Sequence, residues 1–360
     1  MIKRLKVIIC LLACFGCANA AGMNDSITIH QIDAFRFNQY VETVYSDSIF
    51  ECDEQDGLMF NILTDSTAEF ANYRNDSIIR IDSLIIPEYV SSDSKRYKVV
   101  GIAESALVRS YTNLMGVPYD SNPDMSYYGP SYLFIPPSVK YIAGCAFSNC
   151  VNLKTVILSD GLDSIDDAFG GTNITEIHIP STVRYIYPRA FENCMSLEKI
   201  TVSPENPTYD SRNGCNAIIE TETDYMFITC KNTVFPDNVK KIQVTNNVPK
   251  VKLGSKSSCE GLYVMTYAVR KINARRCDAL KSLSVSFNHE PEVDRIVLPP
   301  GIEYLHIFRV DPGKVKGRIM KRSGTFQLTE NYDEKRSYIA AGKLFQLEIK
   351  RAPEPRLKRH

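Results

Sequence analysis

Hydrophobic positions in the middle of the chain recur with two periods. Within short segments such as Ile174-x-x-Ile177-x-Ile179 and Leu197-x-x-Ile200-x-Val202, apolar residues alternate with polar ones. Alternation of this kind predicts β-strands with one buried face. The segments themselves return about every 22 residues. A fixed period of this length with one strand per unit predicts a β-rich solenoid of leucine-rich repeats with a parallel sheet.

Three units also carry an Ala-Phe pair, and in two of them a cysteine lies three residues after the phenylalanine. Ala before Phe leaves room at a tight turn, and each phenylalanine is predicted to bury ~150–250 Å² in an internal spine. Pro136 and Pro180 end their strands, where the lost N–H donor costs little. The predicted structural repeat residues are Ala146, Phe147, Cys150, Ala168, Phe169, Ala190, Phe191 and Cys194.

The combined motif resembles a known family. The pattern I-P-x-[S/T]-V-x-x-I-x-x-x-A-F-x-N-C-x-x-L runs over 135–153 and 179–197, and 206–242 resembles an element in which a hairpin opens the repeat. These stretches resemble the bacterial surface leucine-rich repeats called BspA-like, most specifically across residues 80–245. The resemblance implies adhesion to host extracellular proteins or to other bacteria, and it assigns no ligand to particular residues.

The repeat pattern divides the chain into four parts. Residues 1–20 are predicted to be a signal peptide and 21–80 an N-terminal β cap. Residues 81–310 form the predicted solenoid, with insertions near 108–131 and 203–235, the second containing strands at 217–221 and 225–229. Residues 311–360 depart from the repeat and are predicted to be an irregular β region, in which 325–329 and 344–349 pair as a hairpin before a basic tail. That tail could contact an anionic surface or could simply be solvated.

The N-terminus predicts export by one of two routes. Three basic residues precede an apolar stretch, and Ala18-Asn19-Ala20 fits a signal peptidase site with cleavage before Ala21. Leu11-Leu12-Ala13-Cys14 also fits a lipobox, which would place a lipid on Cys14 as the one contact with a membrane. Both interpretations put the protein outside the cytoplasm, either secreted or at the cell surface or outer membrane of a bacterium.

Composition and motifs argue against an enzyme and against a nucleic-acid binder. The chain has 42 basic and 42 acidic residues, whereas nucleic-acid binders usually have a basic excess. The sequence has no H-x-x-x-H pair, G-x-S-x-G or phosphate-binding loop, and no C-x-x-C after the predicted signal peptide, so we expect no catalytic residue, cofactor or metal site. Asp160, Asp163, Asp166 and Asp167 miss the EF-hand spacing and are expected to lie in a solvated loop.

The cysteines have two interpretations. Cys150, Cys194 and Cys277 occupy repeat positions that favour a small apolar group, which predicts buried thiols. Cys215 and Cys230 flank the predicted hairpin and are the best candidates for a disulfide in an exported chain.

The outward side of the predicted sheet is the candidate binding face. Alternation places one column of residues outward, and a tyrosine-rich insertion joins the face just before Tyr132. Apolar residues gathered in an exposed column often mark an interaction surface, although the insertion or the terminal β segments could instead cover the column. Partners are expected to be a host extracellular protein or a bacterial surface partner, with glycan capture or a purely structural envelope role as rivals. The predicted binding residues are Ile85, Tyr127, Tyr128, Tyr132, Phe134, Ile157, Glu176, His178, Lys199 and Thr201.

Overall fold

The computed structural model describes residues 49–51, 58–71, 82–107, 129–265, 268–286, 295–299, 301–302, 304–308, 316–319, 325–328, 338–340 and 349–351. All of them belong to one compact unit, Ser46–His360. The predicted signal peptide with Cys14, the tyrosine-rich insertion with Tyr127 and Tyr128, most of the predicted cap and the end of the basic tail lie outside the described residues.

The described residues form β-strands joined by turns and one short 3-10 helix, Arg212–Gly214. The strands in chain order are β1 (Ile49–Glu51), β2 (Met59–Ile62), β3 (Thr67–Phe70), β4 (Ser83–Ile85), β5 (Tyr89–Ser92), β6 (Lys95–Ile102), β7 (Tyr132–Ile135), β8 (Tyr141–Ile142), β9 (Thr155–Leu158), β10 (Ser164–Ile165), β11 (Glu176–Ile179), β12 (Tyr185–Ile186), β13 (Lys199–Val202), β14 (Tyr209–Asp210), β15 (Ala217–Glu220), β16 (Tyr225–Thr229), β17 (Lys241–Val244), β18 (Lys250–Lys252), β19 (Gly261–Val264), β20 (Lys271–Asn273), β21 (Ser282–Ser286), β22 (Arg295–Leu298), β23 (Tyr304–Phe308), β24 (Lys316–Ile319), β25 (Thr325–Leu328), β26 (Tyr338–Ala340) and β27 (Ile349–Arg351).

Each repeat contributes one strand to a front sheet and one to a back sheet, which confirms the predicted parallel solenoid. The N-terminal front sheet has the order β13-β11-β9-β7-β4, and the N-terminal back sheet continues from β6 through β8 and β10 to β12. In the C-terminal half, β17, β19, β21 and β23 continue a front sheet, while β18, β20, β22 and β24 continue a back sheet. Ile177 and Ile200 are register partners in the front sheet, as the alternation predicted.

The predicted phenylalanine spine is confirmed. The rings of Phe147 and Phe169 stack with their centroids 5.5 Å apart, and those of Phe169 and Phe191 with theirs 5.4 Å apart. All three side chains are fully buried. Leu107 has the same place one repeat earlier, because its amide donates to the Ala146 carbonyl as the Phe147 amide donates to that of Ala168.

The turn after each Ala-Phe pair requires a left-handed residue. Asn149 and Asn193 have φ values of 61° and 60°, and Gly171 fills the same place with φ 74°. Asn and Gly are the residues that adopt this conformation at the lowest cost. In the Asn-Cys dipeptide of the motif, Asn therefore forms the turn, and the Cys that follows it places a small side chain in the core.

The hairpin of β15 and β16 divides the interior into two hydrophobic cores. Ile218 and Phe227 belong to the core of the N-terminal repeats. Ile219 and Met226 belong to a second core, which extends to Ile302. The hairpin agrees with the sequence prediction to within one residue at the end of its first strand.

A buried polar network joins the hairpin to the repeats on both sides. Asn246 accepts a hydrogen bond from the Cys194 amide at 3.1 Å and donates to the Thr229 carbonyl at 2.8 Å. Thr229 in turn donates to the Thr245 carbonyl at 3.0 Å.

The two ends of the solenoid are closed by antiparallel strands. At the N-terminus β1, β2 and β3 pair in order, and β3 joins the back sheet beside β6. Near the C-terminus β24 still pairs in parallel with β22, so the repeat extends further than the sequence predicted. The predicted C-terminal hairpin needs a correction. Strands β25 and β27 pair antiparallel, but they are not consecutive, because β26 lies between them in the chain and pairs with β23 of the front sheet.

Candidate functional site

Two columns of side chains face outward along the N-terminal front sheet. Inward positions such as Leu133, Val156 and Ile177 are buried, so strand alternation turns the residues between them toward solvent. The first column follows the register Ser83, Tyr132, Thr155, Glu176 and Lys199. The second follows Ile85, Phe134, Ile157, His178 and Thr201.

The second column has an apolar end. Ile85 is 52% exposed and Ile157 is 42% exposed, and Phe134 lies between them in register. Phe134 and the neighbouring Tyr132 are half-buried. The sequence correctly placed these residues on one face, but burial divides them into two exposed isoleucines and two partly covered aromatic rings.

The other end of the face is polar and internally paired. Lys199 Nζ donates to Glu176 Oε2 at 3.1 Å, and His178 Nδ1 lies 2.9 Å from Thr201 Oγ1. Glu176, His178 and Lys199 are exposed, so these contacts leave the side chains accessible to a partner. Because the charges are paired across adjacent strands, this end has little net charge.

A cleft of about 710 Å³ borders the polar end, between the front sheet and the hairpin region. Sequence reasoning did not single out its other members, because their positions in turns have no recurring chemical pattern. The lining residues are Thr175, Glu176, Met195, Ser196, Glu198, Lys199, Lys231 and Asn232.

The turns that follow the N-terminal back sheet form an acidic ridge of Glu104, Asp166, Asp167 and Glu192. Burial raises the pKa of Asp167 to about 6, although Arg189 opposes the shift from 4.0 Å. Burial also raises the pKa of Asp166 and of Glu104. Asp166 and Asp167 are half-buried, in contrast to the solvated loop that the sequence predicted, whereas Asp160 and Asp163 are exposed.

The described cysteines are free thiols inside the solenoid or its turns. Cys150, Cys194 and Cys277 are buried, as predicted. Burial raises the pKa of Cys150 to about 12 and that of Cys194 to about 11. Cys215 and Cys230 are also free, and Cys230 Sγ donates to the Asn216 carbonyl at 3.2 Å, so the candidate disulfide is not formed.

The described residues contain neither a candidate metal site nor a candidate membrane span. No group of three or more His, Cys, Asp or Glu side chains converges there in a way that could hold a metal ion. Within that part of the chain, no helix has the length and apolar composition needed to cross a bilayer.

The repeats are similar to those of known bacterial proteins. Residues 127–244 match the model of the BspA type leucine rich repeat region in six copies. No curated protein matches the chain.

Several solved structures are similar to the chain. A leucine-rich repeat protein from Bacteroides ovatus is 15% identical, with 77% of this chain and 68% of that chain covered and a TM-score of 0.39. A leucine-rich cell surface protein from Faecalibacterium prausnitzii is 17% identical, with 74% and 95% covered and a TM-score of 0.31. A leucine-rich repeat protein from Bacteroides capillosus is 25% identical, with 44% and 99% covered and a TM-score of 0.33. The family match agrees with the repeat geometry, and over residues 127–244 this chain is similar to leucine-rich repeat regions of the BspA type.

Proposed function

We infer that this protein is an exported surface protein that binds another protein through its N-terminal front sheet. One observation carries the proposal: Ile85 and Ile157 are exposed on either side of Phe134 in a single register column. Large apolar side chains gathered on a soluble surface are typical of interaction sites.

The remainder of the face suits a protein partner. Tyr132 and Phe134 are partly covered, so they are already held in place and lose little conformational freedom on binding. Aromatic anchors of this kind dominate binding energy at interfaces, while paired polar groups form the rim. Glu176, Lys199 and His178 would supply such a rim beside the apolar end. At the level of the resemblance, the partner is a host extracellular protein or a bacterial surface protein.

A binding role also fits the chemistry of the thiols better than catalysis does. A nucleophilic cysteine needs a lowered pKa, whereas burial raises the pKa of Cys150 and Cys194. His178 contacts Thr201 on the outside of the sheet, away from these buried thiols.

The test compares Ile85→Ser/Ile157→Ser with Val234→Ser, which removes a 63% exposed apolar residue located elsewhere. Binding would be measured against purified host matrix proteins, intact bacterial cells and a glycan array. We expect a protein or cell partner whose affinity the double variant weakens by about tenfold or more, with a stability loss below ~1 kcal/mol.

Three outcomes would contradict the proposal. Equal losses in the double variant and in Val234→Ser would show that the column has no special role. Binding to glycans alone would favour glycan capture, and an absence of binding in every arm would favour a structural envelope role.

Export is tested separately by mass spectrometry of the mature N-terminus. An unmodified chain that starts at Ala21 would support secretion, and a lipidated chain that starts at Cys14 would support anchoring. A mature chain that retains Met1 would contradict export.

A further inference from the structure

The C-terminal back sheet aligns four basic residues of successive repeats. Lys250 is the register partner of Lys271, and Lys271 is the register partner of Arg295. The pairing of Ile296 with Gly317 places Arg295 beside Lys316. The four positions, which we call the basic row, therefore cross four parallel strands at intervals of ~4.8 Å.

The described side chains of the basic row are exposed. Lys250 and Lys252 lie on either side of Val251, which is fully buried. Lys271 is likewise exposed and precedes the buried Ile272. Among the described residues, neither Lys250, Lys252 nor Lys271 forms a salt bridge with a carboxylate.

The surrounding turns increase the positive charge. Lys256, Arg275 and Arg276 are exposed in the turns that follow β18 and β20. Residues 248–278 contain seven basic residues and two acidic ones, Glu260 and Asp278. The excess is therefore local, because the whole chain is balanced.

The basic row is unfavourable for the isolated protein. Like charges directly opposite on adjacent strands destabilise a sheet. On the N-terminal front sheet the equivalent relation is favourable, since Glu176 and Lys199 are register partners of opposite charge and form a salt bridge. Among the described side chains, Lys250 and Lys271 lack this compensation, and a bound anion with repeated charges would supply it.

We propose that the basic row binds a linear anionic polysaccharide that carries sulfate or carboxylate groups. The basic positions follow one another in register on successive strands, ~4.8 Å apart, and this linear spacing suits a polymer with regularly repeated anionic groups. A single-stranded nucleic acid would need aromatic side chains for its bases, and Lys250, Lys271 and their neighbours Lys252 and Asn273 provide none. The site is separate from the proposed protein-binding face.

The test uses the full chain and heparin as the probe. Lys250→Ser/Lys252→Ser/Lys271→Ser is compared with Lys98→Ser/Lys154→Ser/Lys241→Ser, which removes three exposed lysines from other surfaces. Affinity would be measured between about 50 and 300 mM salt, because counterion release makes such binding depend on salt. We expect the basic-row variant to bind about tenfold or more weakly with a reduced salt slope, and the control variant to match the wild type.

A charge reversal provides a second readout. Lys271→Glu places a carboxylate beside Lys250, so it should raise Tm in the absence of heparin while it weakens heparin binding. A variant that is more stable but binds heparin more weakly has lost the binding site and not the fold.

Several results would overturn the proposal. Binding at the basic row is contradicted if the wild type fails to bind heparin, if the two triple variants lose heparin affinity equally, or if Lys271→Glu keeps the wild-type heparin affinity. Tighter binding to phosphatidylserine vesicles or to single-stranded DNA than to heparin would overturn the assignment to a polysaccharide.

Discussion

At the scale of single residues, the phenylalanine spine shows how one repeat position stabilises its neighbours. Phe169 is fully buried between the rings of Phe147 and Phe191, which are tilted from its plane by only 11° and 4°. Loss of the middle ring would therefore remove two ring contacts and leave a cavity that rigid strands on both sides cannot close.

We expect Phe169→Ala to lower the free energy of unfolding by ~3–5 kcal/mol, as is usual for a buried aromatic residue. Phe169→Leu is the matched control, because Leu107 shows that leucine fits this place in the repeat. Urea denaturation would measure both variants. A wild-type midpoint for Phe169→Ala would show that the spine does not support the fold.

Asp167 is a residue whose charge opposes folding. Its pKa in the folded protein is about 6, above the ordinary value of 3.8, and burial is the largest cause. A carboxyl group with a raised folded pKa favours the protonated folded state, so its destabilising effect grows as pH rises from about 4 to about 6 and persists above that range.

We therefore expect Asp167→Asn to raise stability by about 1 kcal/mol near pH 7, after allowance for partial solvent screening. The gain should shrink toward zero near pH 4, where the wild-type carboxyl group is protonated in the folded state. Urea denaturation at both pH values would check this. A gain of equal size at both would mean that amide packing, and not ionisation, is responsible.

At the scale of elements, the sequence predicted strands better than it predicted their partners. The hairpin strands were predicted almost to the residue because two short apolar runs separated by a polar turn are local signals. The sequence could not predict that this hairpin separates two hydrophobic cores, since Ile218 and Ile219 are equally apolar but belong to different cores.

The parallel strand β24 illustrates a weaker local signal. Its four residues are Lys316, Gly317, Arg318 and Ile319, which show little alternation of apolar and polar types. Pairing with β22 determines this strand, so tertiary contact overrides a poor local propensity. The sequence accordingly ended the repeat too early.

At the scale of the whole molecule, the 22-residue period was sufficient to predict the solenoid and its outward face, but not the distribution of charge. The members of the basic row are separated by 21, 24 and 21 residues, so no fixed spacing reveals them. Only the register brings them together. A formal charge of zero thus conceals an acidic ridge on one half and a basic row on the other.

The hairpin between the two cores also has a mechanical consequence. In a solenoid each repeat contacts mainly its neighbours, so tension applied along the chain is resisted locally. We expect tension along the chain to unfold the two cores in separate steps, because the hairpin of β15 and β16 packs Ile218 in one core and Met226 in the other.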